Sequence, residues 1–110
     1  MSPPDVPEQP ASALPADAVV LDVREPDEWA AGHIETAVHI PIRQVTARLA
    51  DVPQGDPVYV ICRSGSRSAR VAEFLRAQGV DAVNVADGMQ GWASAGKPMS
   101  SARGWDPQVI

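Results

Sequence analysis

A chain of 110 residues holds one domain with one hydrophobic core, not two. Hydrophobic residues make up 45% and charged residues 21%, an ordinary globular balance with no apolar run near the roughly 20 residues of a membrane-spanning helix. A net charge of −5 argues against nucleic-acid binding, and the single cysteine excludes an internal disulfide and a multi-cysteine zinc site.

The charge is uneven. Residues 1–37 carry eight acids and one base, whereas residues 38–110 carry six acids and eight bases. Between Cys62 and Ala72 there are three arginines and no acid. An acidic chain therefore contains one cationic segment, and that segment holds its only thiol. The start of the chain has no basic region followed by an apolar one, so no secretory signal is expected. With the lone cysteine, this suits a cytoplasmic protein.

In chain order, residues 1–10 are expected to form a flexible start, with a short edge strand near residues 9–13. Residues 18–23 are a short apolar run of the kind buried on both faces of a sheet. Pro26 then stands where a helix N1 proline belongs, with Asp27 and Glu28 favourable in the first turn. Gly32 is expected to end that helix in the left-handed conformation. Residues 36–41 read as a strand, and Ile42, Val45 and Leu49 recur at helical spacing over 42–49. Residues 52–57 form a turn by composition. Residues 58–61 are the clearest strand and 66–78 the clearest helix, with Val71, Phe74, Leu75 and Gln78 on one face and Gly79 as a stop signal. Residues 80–85 read as a buried strand, and 89–95 as a short helix with Trp92 facing inward. Strands alternating with helices predict an α/β fold with a parallel sheet. In such a sheet ligands bind beyond the carboxyl ends of the strands, which is where Cys62 falls.

The loop Cys62-Arg63-Ser64-Gly65-Ser66-Arg67-Ser68 suits a reactive thiolate and a bound anion. Gly65 permits a backbone that turns successive N–H groups toward one point. The following helix adds its unpaired N–H groups and positive dipole end. The hydroxyls of Ser64, Ser66 and Ser68 and the charges of Arg63 and Arg67 complete the candidate cradle. A thiol so placed has its pKa lowered from about 8.5 to roughly 3.5–7.5. A thiol ionised by its loop needs no base, which separates this site from Cys-His hydrolases. Four residues intervene between Cys62 and Arg67. Phosphatases of the Cys-x5-Arg type would need arginine at position 68, where this chain has Ser68. The shorter loop suits a smaller target, such as one sulfur atom carried on the cysteine.

Three segments resemble the signatures of single-domain rhodaneses, a sulfurtransferase family. The first is Leu21-Asp22-Val23-Arg24-Glu25, with Glu28-Trp29, Gly32-His33-Ile34, Ala37 and Ile40-Pro41. The second is the loop from Cys62 to Ser68. The third is Val85-Ala86-Asp87-Gly88-Met89-Gln90-Gly91-Trp92, in which Met89 replaces a glycine common in the family. The resemblance spans roughly residues 18–98. It implies a rhodanese-like α/β fold, with a five-stranded, mainly parallel sheet and helices on both faces. The domain is expected over residues 11–98, with a tail, 99–110, that packs on it or stays loose.

The resemblance also implies double displacement. Cys62 takes a sulfur from a small anionic donor such as thiosulfate, becomes a persulfide, and passes the sulfur to a thiol, a partner protein or, in an assay, cyanide. Arg63, directly after the cysteine, favours thiosulfate over mercaptopyruvate. No cofactor, metal, nucleic acid or membrane partner is expected. Asp22 and Arg24 are expected to support the site as a structural pair, and Glu28 to join Arg24. His33 and His39 read as structural, Trp29, Trp92 and Trp105 as packing residues, Gly88 as a turn, and Asp87 as a residue of the rim. A Cys-dependent phosphatase or arsenate reductase on a related fold, and a non-enzymatic binding module, are the competing readings.

Overall fold

The structure, a computed structural model, describes residues 6–110. Five strands form one sheet: β1 (Glu8–Gln9), β2 (Val19–Asp22), β3 (Val38–His39), β4 (Val58–Ile61) and β5 (Ala82–Val85). Their order is β1-β5-β4-β2-β3, and every pairing is parallel. The register sets Leu21 opposite Val60, Val60 opposite Asn84 and Asn84 opposite Glu8. Three α-helices follow strands: α1 (Pro26–Ala31), α2 (Ser66–Ala77) and α3 (Gly88–Ser94).

Side chains alternate across a strand, so each central strand feeds two cores. Leu21, Val58, Val60, Cys62 and Ala82 pack under Val71, Ala72 and Leu75 of α2 on one face. Val20, Ile61 and Val85 pack with Met89 and Trp92 of α3 on the other, joined by Ala11, Leu14 and Ile34. Burial on both faces is why these strands read as continuous apolar runs rather than alternating ones. Among the described residues, no helix is long and apolar enough to cross a membrane.

Four local expectations change. The edge strand lies at Glu8–Gln9, and residues 11–13 form a single 3-10 turn instead. Residues 6–10 are docked rather than flexible, because β5 needs a partner for its main chain: Asn84 N donates to Pro7 O and Ala86 N to Gln9 O, both at 2.9 Å, and Val6 is buried. Residues 1–5 of the expected flexible start lie outside the description. The segment 42–49 is not one helix. It holds 3-10 turns at Ile42–Gln44 and Leu49–Asp51 joined by turns. Ile42, Val45 and Leu49 still meet the α2-side core, since a spacing of three suits a 3-10 turn as well as an α-helix.

Gly32 ends α1 with φ of 179°, an extended conformation and not the left-handed one. Glycine is needed there for closeness: a Cβ would collide with the main-chain oxygen of Gln108. That oxygen belongs to the tail, which packs along α1. His33 and Ser100 exchange main-chain hydrogen bonds at 2.8–2.9 Å, Ala102 N donates to Ala30 O at 3.0 Å, and Gln108 N to Ala31 O at 2.8 Å.

Candidate active site

β4 ends at Ile61 and delivers Cys62 to the carboxyl edge of the sheet, 1% exposed. The chain then turns through Gly65, whose φ of 104° is left-handed, and enters α2. Two features shape this turn. A Cβ on Gly65 would meet Ala86 O, so only glycine allows loop and β5 exit to touch. The start of α3 holds the loop from outside: Met89 N donates to Cys62 O at 2.8 Å and Gln90 N to Arg63 O at 3.0 Å. Gly88 permits that approach, since a Cβ there would lie 2.5 Å from Cys62 O. With its carbonyls turned toward α3, the loop turns N–H groups toward the sulfur.

Gly65 N–H donates to Cys62 Sγ at 3.1 Å, and Ser68 Oγ lies 3.2 Å from it. Gly65 is the N-cap of α2 and offers no capping side chain. The sulfur therefore takes the place a cap oxygen would fill. Burial pushes the Cys62 thiol up. The Ser68 hydroxyl and the main-chain N–H groups of Ser68, Gly65 and Ser64 outweigh burial, and the thiol titrates below its ordinary value. Hydrogen bonds, rather than the arginines, carry this effect. Ser64 contributes through its main chain, and the side chains of Ser64 and Ser66 are exposed.

Arg67 does not stand free over the sulfur. Its Nη1 and Nη2 donate to Glu28 Oε1 and Oε2 at 2.8 and 2.9 Å, a fork-on-fork pair. Arg67 holds the Glu28 carboxyl below its ordinary value, against the upward push of burial. Arg67 itself is raised, by Glu28 and to a smaller extent by the charge of Cys62. Glu28 therefore joins Arg67, while Arg24 reaches only its main-chain oxygen, at 3.3 Å. Arg63 is exposed at the rim. Its Nε donates to the main-chain oxygen of Ile110 at 3.0 Å, and the Gln90 amide oxygen, turned to accept, lies 2.8 Å from its Nη1.

Asp22 and Arg24 are both fully buried and paired to each other, Nη2 to Oδ2 at 2.7 Å, with a second hydrogen bond from Nη2 to Gly32 O at 2.8 Å. They brace the β2–α1 connection beside the site. Trp29 stacks on His33 and His39, with ring centroids 3.8 and 4.7 Å apart. Asp87 accepts from Ala11 N at 2.7 Å and so ties the 3-10 turn to the start of α3.

Asn84 is a site residue that the sequence reading passes over. It is fully buried on β5, accepts from Ser68 Oγ at 2.6 Å, and donates through Nδ2 to Gly65 O at 3.1 Å. Its signal is a lone amide in an apolar strand, Ala82-Val83-Asn84-Val85. A buried amide costs roughly 2–7 kcal/mol unless hydrogen-bonded, so it must have partners.

Comparison with known proteins agrees with this geometry. The sequence model of the Rhodanese-like domain matches residues 7–95. A thiosulfate sulfurtransferase, GlpE, of Actinobacillus pleuropneumoniae is 35% identical over 86 residues, covering 77% of this chain and 80% of that protein. YrkF of Bacillus subtilis is 42% identical over 74 residues, 66% of this chain, and the match spans only 40% of that longer protein. The crystal structure of a rhodanese-like domain protein from Staphylococcus aureus superposes with a TM-score of 0.72 at 32% identity, covering 79% of this chain and 91% of that one. The sheet order, the Cys62 cradle and these matches together make the chain a member of the rhodanese-like domain family.

Proposed function

We propose that the protein moves a sulfane sulfur from an anionic donor such as thiosulfate, through a Cys62 persulfide, to a thiophilic acceptor. The observation that carries this reading is the cradle around Sγ, with Gly65 N at 3.1 Å and Ser68 Oγ at 3.2 Å. In the first step the Cys62 thiolate attacks the outer sulfur of thiosulfate. The new bond joins Sγ to that sulfur, the old sulfur–sulfur bond breaks, and sulfite leaves with its electron pair. The negative charge then sits on the outer sulfur of the persulfide, beside the N–H groups of the loop. An acceptor nucleophile attacks that outer sulfur, and the Cys62 thiolate departs as leaving group. Cyanide would leave as thiocyanate, and a thiol of a small molecule or partner protein would carry the sulfur away as its own persulfide.

Arg63, at the rim, is placed to attract the donor. The Arg67–Glu28 pair fixes the loop where it joins α2. The same pair weighs against a phosphatase or arsenate reductase: Arg67 is engaged, and the loop is one residue short of the Cys-x5-Arg length. An intact thiol in a formed cradle weighs against a purely binding role.

Intact mass of the reduced protein after thiosulfate tests the reading, with Cys62→Ser alongside. The expected result is one added sulfur atom on the wild type alone, removed by cyanide. An unmodified wild type, or steady hydrolysis of an aryl phosphate, would sink it.

A further inference from the structure

Asn84 hydrogen-bonds to two residues that hold the Cys62 sulfur, Ser68 and Gly65. Its Oδ1 lies 2.6 Å from Ser68 Oγ, its Nδ2 donates to Gly65 O at 3.1 Å, and Nδ2 also donates to Glu8 Oε2 at 2.7 Å. Glu8 stands directly opposite Asn84 in the β1–β5 register. Its carboxylate accepts hydrogen bonds only, so it fixes which way the amide faces and turns Oδ1 to Ser68.

Ser68 then has two acceptors within reach, Asn84 Oδ1 at 2.6 Å and Cys62 Sγ at 3.2 Å. A hydroxyl carries one proton and donates to one of them at a time. A thiolate is the stronger acceptor, because a charged partner roughly doubles the strength of a hydrogen bond. A neutral thiol is a weak acceptor, and Asn84 then wins.

We infer that Asn84 is a positioning residue that holds the Ser68 hydroxyl whenever Cys62 Sγ is uncharged and releases it when Sγ becomes a thiolate. On deprotonation the S–H proton leaves for solvent, and the Ser68 O–H rotates from Oδ1 to Sγ. On sulfur loading the charge moves one atom outward, and the hydroxyl returns to Asn84. No proton is gained or lost by Ser68 in either movement. The second movement rests on the persulfide reading; the first does not.

The test is a titration without any sulfur donor. In 15N-labelled wild type, the Asn84 side-chain amide signals should move with the same midpoint as the pH profile of Cys62 alkylation by iodoacetamide. In Ser68→Ala that movement should vanish. The other charged groups around the thiol are Glu8, Asp22, Arg24, Glu28, Arg63 and Arg67. All are common to both proteins, so the difference isolates the hydroxyl. Asn84→Leu should lower the alkylation midpoint, with about a threefold gain in thiolate at pH values below it, as the hydroxyl loses its competing acceptor. Asn84 signals that ignore the thiol titration, or follow it equally in Ser68→Ala, would overturn the inference even if Asn84→Leu fails to fold. Failure of thiosulfate to load the wild type would instead count against the function alone.

Discussion

Two adjacent strands, β2 and β4, each end at the same edge of the sheet and lead into a helix, and the two helix starts differ in one respect. α1 is closed by its own carboxylates. The Glu25 side chain accepts from the Glu28 N–H, and Glu28 Oε1 accepts from Glu25 N at 2.9 Å, with Pro26 at the first position. Beneath it the Asp22–Arg24 pair fills the space between strand and helix. α2 begins at Gly65 with no side-chain cap. Its N–H groups face Cys62 Sγ instead. One helix start is satisfied and structural; the other is left open, and its vacancy is filled by sulfur. The two are joined by Glu28, which caps α1 and grips Arg67 of α2.

The comparison can be broken from the structural side first. Arg24→Leu leaves Asp22 charged and buried without its partner, and the expected loss of stability is about 3–5 kcal/mol. Urea unfolding measures it; a loss under about 1 kcal/mol would mean the β2–α1 connection does not depend on the pair. Gly65→Ala attacks the open start of α2. A Cβ would collide with Ala86 O at a left-handed φ, and displacing the cradle by about 1 Å should slow sulfur loading about a hundredfold. Loading near the wild-type rate would show that the turn tolerates a side chain.

Smaller changes sharpen the link. Glu28→Gln should cost about 1–2 kcal/mol at neutral pH. Glu28 is held below its ordinary value of 4.5 by Arg67, so its contribution is present above that value and lost as pH falls through the lowered one. Wild type and variant should therefore differ in stability at neutral pH and converge as the pH falls through the lowered Glu28 value; parallel curves would remove Glu28 from the account. Arg63→Gln, at the exposed rim, should raise the KM for thiosulfate about threefold with kcat little changed and with less dependence on salt. An unchanged KM would leave Arg63 without a donor role.

The central strands and α2 are legible because both faces of the sheet are covered and the apolar runs say so. The Cys62 loop is legible because it is contiguous: strand, thiol, glycine and helix follow within a few residues. The rest depends on partners far away in sequence. Arg67 reads as an anion-binding charge until Glu28, 39 positions earlier, is seen to hold it. Asn84 reads as one strand residue among several until Ser68 and Gly65 arrive above it. Gly32 carries a glycine for the sake of Gln108, which no local pattern could indicate. The 42–49 segment fails for a different reason, since its three-residue spacing satisfies two helix geometries equally.

The place of β1 in the sheet has a consequence for how this site comes into being. Glu8 and Asn84 are 76 residues apart and lie side by side at one edge of the sheet. Closing so long a loop costs chain entropy before any contact is returned, and such non-local pairings slow folding. During synthesis, β1 has no strand to join until the ribosome has released β5. The thiol and its loop are adjacent in the chain and can meet early, but the amide beneath them is oriented only when the two ends of the domain come together. The hydrogen-bonded surroundings of the thiol are thereby finished only once β1 has docked on β5.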